Sequence, residues 1–458
     1  MNQQPIRQNP NDTIVACATP EGYASIGVIR VSGDQAESAV RRLFRPSHKE
    51  SSFESHRAYF GDIIDPDDIT IIDKVIVTFH KRPYSYTGED VVEVSSHGNP
   101  LIIDRIIGAL IKYGARLAEK GEFTKRALLN GKIDLLQAEA VLDTVFSPCD
   151  EARKLAIAQY EGRLSEIVLS LREKLNNILV LAEAQIDFSE EEDVQKQIQA
   201  NHLMQELAIL DSELVSILQG AQIGIKMKQG YRVLIMGRSN VGKSTLFNRL
   251  VGYDRALIHH IPGTTRDYLE EKIEIKGLLI RLFDTAGLLN QPHGADEIAQ
   301  ERSRQLIEQA DLIVLLFDGS EPMNEQDIYL YNLTKKKNTI AVVNKVDLNI
   351  RLSESDMLSD SIKISAKKGE NIDCLLSCMK RILIPELCPS ERPLITKQRH
   401  MEAFNRIHDC TQQAIESAAP EMIAFEMKRA LQQLGTLTGE TLGADILDRI
   451  FEEFCIGK

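Results

Sequence analysis

The chain has no long apolar run. Nothing in its 458 residues approaches the roughly 18 consecutive apolar residues a membrane-spanning helix needs, so no span is expected. It has no basic-then-apolar opening either: "MNQQPIRQNPNDT" does not predict a secretion leader. Cysteine is sparse and unpaired, with seven scattered residues and no CxxC. Cys374 and Cys378 lie one helical turn apart without a nearby His, which predicts core thiols rather than metal ligands. These absences predict a reduced, cytoplasmic protein. Basic charge is also short: 54 Lys and Arg against 67 Asp and Glu leave a formal net charge of −13. That argues against broad, sequence-blind nucleic-acid binding, which rests on many cation–phosphate contacts, while leaving room for a local RNA-binding patch or help from a partner subunit. The ending "FCIGK", Phe454 to Lys458, has a Cys four residues from its end. A prenylation box wants aliphatic residues after that Cys and does not end in Lys, so the tail needs another explanation.

Composition is otherwise that of a soluble globular protein, 43% apolar and 26% charged. The length suits about three domains at roughly 150 residues each. Residues 1–131 mix short strand-like runs such as "ASIGVIRVSG" and "KVIVTFH" with Gly- and Pro-marked turns. Residues 132–229 turn helical, with Leu164, Ile167, Val168, Leu171, Leu175, Ile178 and Leu179 on one face. Residues 230–383 alternate strands and helices, as a parallel sheet with crossover helices does. After "PSERPLI" the segment 384–458 is helical again, with Leu447, Ile450, Phe451 and Phe454 on one stripe. Two helical stretches around an α/β unit predict an insertion, since domain termini often lie close together. The acidic run "SEEED" at 189–193 reads as a solvated face or loop.

"YRVLIMGRSNVGKST" carries the strongest chemical signal. A buried strand, Val233 to Met236, runs into Gly237-Arg-Ser-Asn-Val-Gly-Lys-Ser, which fits GxxxxGK[ST]. Its loop residues Asn240, Val241, Gly242, Lys243, Ser244 and Thr245 can wrap a phosphate chain with backbone N–H groups. Lys243 adds charge at the β and γ phosphates and Ser244 offers a hydroxyl to Mg²⁺. "RLFDTAG" supplies Asp284, Thr285, Ala286 and Gly287, with Asp284 near the Mg²⁺ shell and Gly287 able to sense the γ phosphate. "AVVNKVD" ends a strand with Asn344, Lys345, Val346 and Asp347. The Asp347 carboxylate can accept from guanine N1 and N2, donors that adenine lacks, and buried hydrogen bonds of this kind discriminate strongly. "IKISAK" places Ser365, Ala366 and Lys367 beside the base. The set predicts GTP binding. Between the phosphate loop and DTAG, "HHIPGTTRD" holds His259, His260, Ile261, Pro262, Gly263, Thr264 and Thr265 where a first switch belongs, with Thr265 completing the Mg²⁺ shell.

Leu288 stands after DTAG where small GTPases often carry a Gln that orients water. With Asn240 and "GTTRD", this resembles the potassium-activated GTPases. Outside that segment, "DTIVACATPEGYASIGVIRVSG", "YTGEDVVEVSSHG", "GEFTKRALLNGKIDLLQAEA" and "FCIGK" closely resemble the MnmE (TrmE) family of tRNA-modification GTPases, over essentially the whole chain. The resemblance implies a fold of α/β plus all-α class: a Ras-like P-loop G domain inserted into a helical domain, with an N-terminal α+β folate-binding domain that dimerises. It implies partnership with the FAD-dependent protein MnmG in a heterotetramer, and addition of a carboxymethylaminomethyl or aminomethyl group to C5 of the wobble uridine of tRNA. A reduced folate, 5,10-methylene- or 5-formyl-tetrahydrofolate, would supply the carbon. K⁺ would be held by the Asn240 side chain, the His259 and Ile261 carbonyls and Thr264, neutralising developing charge in place of an arginine finger. Folate contacts would be Arg30, Glu93, Lys132 and Lys458; cations suit its glutamate tail and a carboxylate suits its pterin N–H groups. The tail would fold back beside that pocket, leaving Cys455 as a nucleophile or a buried structural thiol. In such proteins an acidic residue beyond DTAG orients the water; an ungapped reading puts Asp296 there, with Glu297 adjacent.

Two other classes compete. A ribosome-assembly GTPase would share these nucleotide motifs but usually appends a basic RNA-binding module, and no such module is visible in the sequence. A non-enzymatic folate-binding scaffold would not need the complete nucleotide set.

Overall fold

The computed structural model describes residues 12–48, 52–187, 193–253, 270–284, 305–352, 360–384, 395–441 and 444–458. His259 to Thr265, Thr285 to Gly287, Asp296, Glu297 and most of the "SEEED" run lie outside these residues. The chain divides into two compact units: residues 1–142 with 434–458, and residues 143–433.

The first unit is built on a seven-stranded sheet of β1 (Thr13–Cys17), β2 (Ala24–Ser32), β3 (Phe44–Pro46), β4 (Ala58–Ile64), β5 (Ile71–His80), β6 (Val91–Gly98) and β7 (Ala115–Leu117), in the order β3-β4-β5-β6-β2-β1-β7. All neighbours are antiparallel except β1 and β7. β5 shows why these segments are strands. Its Val75, Val77 and Phe79 alternate inward and are buried, while Ile76 points out and is exposed, the period of two that a one-sided sheet requires. Helices Ala36–Leu43 and Pro100–Lys112 bury Val40, Leu43, Ile106 and Leu110 in the same core as β5 and β6. The second helix begins at Pro100, and its N-cap Asn99 side chain accepts from the Leu101 N–H at 3.0 Å, which supplies one of the partners a helix start lacks.

The expected stripe near the end of the chain is real. Phe451 and Phe454 are buried with Ala138, and Leu128, Ile133, Leu142 and Ile450 pack around them. Burying a side chain of this size contributes about 1.5–3 kcal/mol, enough to seat the helix Ala444–Phe451 on its neighbours.

In the second unit, helices Asp150–Tyr160, Arg163–Asp187 and Asp193–Gln229 lead into a six-stranded sheet, and helix Gln398–Ser417 follows it; the boundary between the units falls within the next helix, Pro420–Thr438. Arg163–Asp187 buries Leu164, Val168, Leu171, Leu175 and Ile178; Ile167 and Leu179 sit half-buried at the edges of that face. The sheet contains β8 (Tyr231–Met236), β9 (Glu270–Ile275), β10 (Leu278–Asp284), β11 (Leu312–Asp318), β12 (Thr339–Asn344) and β13 (Ile362–Lys363), in the order β13-β12-β11-β8-β10-β9. Only the β9–β10 pair is antiparallel. The points where the chain enters and leaves this sheet are tied to one buried carboxylate. Asp143 accepts from Lys228 Nζ at 2.7 Å and from Thr396 Oγ1 at 3.2 Å, with Lys397 Nζ at 3.9 Å.

One expectation holds only by half here. Cys374 is exposed and is not a core thiol, whereas Cys378 is half-buried and packs against the core of the sheet. Helix Ile372–Leu383 buries Ile372, Leu375, Leu376, Met379 and Leu383, and residues 374 and 378, though on one face, are on the face beside that stripe.

Candidate functional sites

In an open parallel sheet, ligands gather at the carboxyl ends of the strands, and the nucleotide motifs of the second unit lie there. β8 ends at Met236, and the loop from Gly237 runs into helix Lys243–Tyr253. Asn240 and Gly242 take left-handed conformations at φ +63° and +101°, which turns the backbone around the position a phosphate would occupy. Lys243 is buried, and its Nζ donates to the Gly237 and Arg238 carbonyls at 2.9 and 2.7 Å, keeping the ammonium on the loop's rim. Ser244 and Thr245, in the first turn of the helix, are exposed. Asp284 closes β10, paired in register with Ile235 of β8.

The base-side loops are joined by Asn344. Its Nδ2 donates to the Val241 carbonyl at 2.7 Å, and its Oδ1 accepts from the Ala366 N–H at 2.9 Å. One buried amide therefore links phosphate loop, β12 loop and β13 loop. An added Cβ on Gly242 would lie 2.3 Å from that Nδ2, so the linkage requires glycine there. Asp347 Oδ1 accepts from Ser365 Oγ at 2.7 Å, and this bond is the first cause of its lowered pKa. The carboxylate is held ionised, as an acceptor for two N–H donors must be. Val346 is half-buried beneath the loop, and Lys367 is exposed with its carbonyl held by Arg249 Nη2 at 2.6 Å.

Sequence reasoning passed over three residues here. Arg249 also donates from Nε to the Ala366 carbonyl at 3.2 Å. Arg238 donates to Glu321 at 2.5 Å and lies 3.4 Å from Asp327. Asp318, buried at the end of β11, accepts from Lys345 Nζ at 2.5 Å. The one signal for Asp318 was its position: a charge closing the run "LIVLLFD", just as Asp284 closes "LLIRLFD".

The first unit brings three of the four expected folate residues together. Arg30 and Glu93 are register partners across β2 and β6. Arg30 Nε and Nη2 both donate to Glu93 Oε1, at 2.9 and 2.8 Å, and among the described residues Oε2 accepts no hydrogen bond. Arg30 Nη1 donates to the Gly457 carbonyl at 3.2 Å, and its guanidinium lies over the Tyr86 and Phe123 rings at 5.7 and 5.8 Å. The tail is threaded tightly. Gly457 sits at φ +92°, and an added Cβ would lie 2.3 Å from the Cys17 carbonyl oxygen and 2.9 Å from Ala18 Cα. Ile456 bridges to Lys120, and the Gly121 N–H donates to the Cys455 carbonyl at 3.4 Å. Lys458 is half-buried, and burial first, then Arg30, push its pKa down. Lys132 instead donates to the Pro83 carbonyl at 2.9 Å. Cys455 is exposed, which removes the buried-structural-thiol alternative. His80, on which the charges of Glu93 and Arg30 act, Tyr86 and Phe123 were not anticipated: His80 ends the strand-like run "KVIVTFH", and Tyr86 and Phe123 lie inside the quoted motifs with nothing to single them out.

The donor set fits a reduced folate: a carboxylate oxygen for pterin N–H groups, cations for a carboxylate tail and aromatic faces beside them. Among the described residues no cluster of His, Cys, Asp and Glu could by itself hold a metal ion, and no helix is long and apolar enough to cross a membrane.

A strand–GxxxxGKS–helix unit on a parallel sheet, with NKxD and SAK loops joined at its rim, defines a P-loop GTPase domain. Residues 13–132 match the family described as GTP-binding protein TrmE N-terminus, and residues 135–455 match the MnmE helical domain. The tRNA modification GTPase MnmE of Natranaerobius thermophilus is 38% identical to this chain, over 98% of this chain and 99% of that protein. The protein of the same description from Staphylococcus aureus is 37% identical over the same shares. The chain belongs to the MnmE (TrmE) family of tRNA modification GTPases. Among solved structures, Era of Aquifex aeolicus bound to GDP and aluminium fluoride is 29% identical over 40% of this chain and 66% of that one, at a TM-score of 0.27.

Proposed function

We propose that this chain is a K⁺-activated GTPase that works with a flavoprotein of the MnmG kind to add a (carboxymethyl)aminomethyl group to C5 of the wobble uridine of tRNA. The observation that supports this best is the presence, in one chain, of a guanine-nucleotide site and of an Arg30–Glu93 pair closed by the chain's own Gly457 and Lys458. Asn240, exposed on the phosphate loop at φ +63°, would hold K⁺ with His259, Ile261 and Thr264; Ser244 and Thr265 would hold Mg²⁺. Both ions supply positive charge to the phosphates. Lys243 and the loop N–H groups hold the phosphate chain, Asp347 accepts from the base, and Asp296 or Glu297 orients the attacking water. In the first unit Glu93 and Arg30 orient a reduced folate, the one-carbon donor, with Lys132 and Lys458 as further cations. Homodimerisation through the first unit and a cytoplasmic location complete the reading.

The test is reconstitution. Purified chain, the flavoprotein, 5,10-methylene-tetrahydrofolate, GTP, K⁺ and unmodified tRNA should give the modified uridine by nucleoside mass spectrometry. Omission of folate or GTP should abolish it. Hydrolysis without any modified nucleoside, together with rRNA-stimulated turnover, would favour a ribosome-assembly role instead.

A further inference from the structure

We propose that Asp318 is a specificity-determining positioning residue: acting through Lys345, it sets the base-recognition loop so that Asp347 meets guanine. The proposal rests on the reading of Asp347 as the base acceptor.

Four observations carry it. Lys345 takes φ +65°, a left-handed conformation that an L side chain with a Cβ avoids unless its surroundings impose it. Its ammonium is anchored on Asp318 Oδ2 at 2.5 Å. Asp318 cannot follow the lysine, because Oδ1 is already engaged by the Ser320 N–H and Oγ at 2.9 and 2.6 Å, and the side chain is only 3% exposed. Finally, the two strand ends are joined by backbone: the Gly319 N–H donates to the Asn344 carbonyl at 2.8 Å.

The direction of control follows from these bonds. β11 is buried along its whole length, so Asp318 is a fixed point. Lys345 leads one way to Asn344, which holds Val241 and Ala366, and the other way to Val346 and Asp347; the Val346 N–H donates to the Ile364 carbonyl at 3.2 Å. Burial disfavours the Asp318 carboxylate, but Lys345 and Ser320 outweigh it and the net pKa is lowered, so the anchor is charged at neutral pH. Ion pairs that are this far out of water are weak sources of net stability. Their use is in geometry, and the geometry here is that of the loop that reads the base.

The experiment uses the full chain and compares wild type, Asp318→Asn, Ser320→Ala and Asp347→Ala. Binding of GDP, inosine diphosphate (which keeps N1–H but lacks the N2 amine) and ADP is measured by competition against a fluorescent guanine nucleotide, and steady-state GTP hydrolysis gives KM and kcat. Asp318→Asn should weaken GDP about ten-fold or more, the scale of a hydrogen bond to a charged group. The GDP-over-inosine ratio should fall with it, and the loss should appear in KM with kcat largely kept. Ser320→Ala, which removes one bond to the carboxylate, should move the same way by less and guards against a folding defect in Asp318→Asn. Unchanged affinities in both variants, or an equal loss for GDP, inosine diphosphate and ADP, would overturn the proposal. If Asp347→Ala alone lost the inosine discrimination, base recognition would stand and the role of Asp318 would fall. If no variant lost it, both would fall.

Discussion

The nucleotide site and the tail site each depend on one glycine in a left-handed conformation, and in each a methyl group would meet its neighbour at 2.3 Å. The neighbours differ. Gly242 faces the Asn344 amide, itself bonded on both sides to Val241 and Ala366; Gly457 faces the fixed backbone of Cys17 and Ala18. Strain at Gly242 has nowhere to go but into the site, because the loop is continuous with β8 and a helix. Strain at Gly457 is relieved by lifting a few residues of tail away from Arg30. One site fails by distortion and the other by undocking.

The largest effect is therefore expected at Gly242→Ala. A left-handed alanine costs about 1–2 kcal/mol, and displacing Asn344 adds the loss of its two buried hydrogen bonds. Affinity for GDP should fall on the order of 100-fold or more, measured by fluorescent-nucleotide binding, while folate binding is unaffected. Retained GDP affinity would mean that Asn344 is free to move and that the three loops are not rigidly joined.

Next is the tail. Gly457→Ala and deletion of Cys455 to Lys458 should behave alike: binding of 5-formyl-tetrahydrofolate about ten-fold weaker or worse, from loss of the Lys458 cation and the Gly457–Arg30 bond, and wobble-uridine modification lost. K⁺-stimulated GTP hydrolysis should survive both changes. Cys455→Ser should keep folate binding, so loss of modification in that variant alone assigns the thiol a chemical part. Normal modification by the truncated chain would make the docked tail incidental.

Legibility in the sequence followed the same division. A phosphate loop is read from sequence because its chemistry is contiguous: strand, glycine, lysine and helix follow one another within the run Tyr231 to Tyr253. The tail site joins residues 63 and 427 positions apart, and only a register between β2 and β6 puts Arg30 opposite Glu93. No periodicity reveals that pairing, so the family resemblance had to supply it. Asp318 escaped because its one marker, closing the run "LIVLLFD", names no partner until the neighbouring strand places Lys345 beside it. The error at Cys374 is of another kind: spacing put it on one helical face with Cys378, but which face was buried depended on Leu375, Leu376 and Met379, which leaves Cys378 at the edge of the core and Cys374 outside it.

A moderate effect is expected at Asn240. It is exposed, left-handed and unlike the glycines tolerates substitution with modest backbone strain. Asn240→Ala should leave GDP affinity within about a factor of ten yet remove the difference between hydrolysis in K⁺ and in Na⁺. Equal wild-type rates in the two salts would refute the potassium reading outright.

The smallest expected effect is on pH dependence, and it concerns the first unit, where the charges of Arg30 and Glu93 both act on a half-buried histidine, His80. His80 stacks edge-on against His56 at 4.9 Å between ring centroids. Its pKa is lowered from 6.5, by burial first, with Glu93 opposing and His56 and Arg30 adding to the shift. A base whose folded pKa lies below its unfolded value binds fewer protons folded than unfolded between the two. Stability therefore rises with pH through that window, is complete above about 6.5, and is lost on acidification. Acid protonates His80 close to Arg30, placing like charges near each other on the β5–β6 side of the sheet. Hydrogen exchange of the β5 and β6 amides, corrected for intrinsic rates, should show protection falling more between pH 7.5 and 5.5 in the wild type than in His80→Gln. The difference should be less than about ten-fold, since one partly solvated histidine carries it. Equal losses in the two proteins would assign the acid sensitivity of this unit to its other titrating groups.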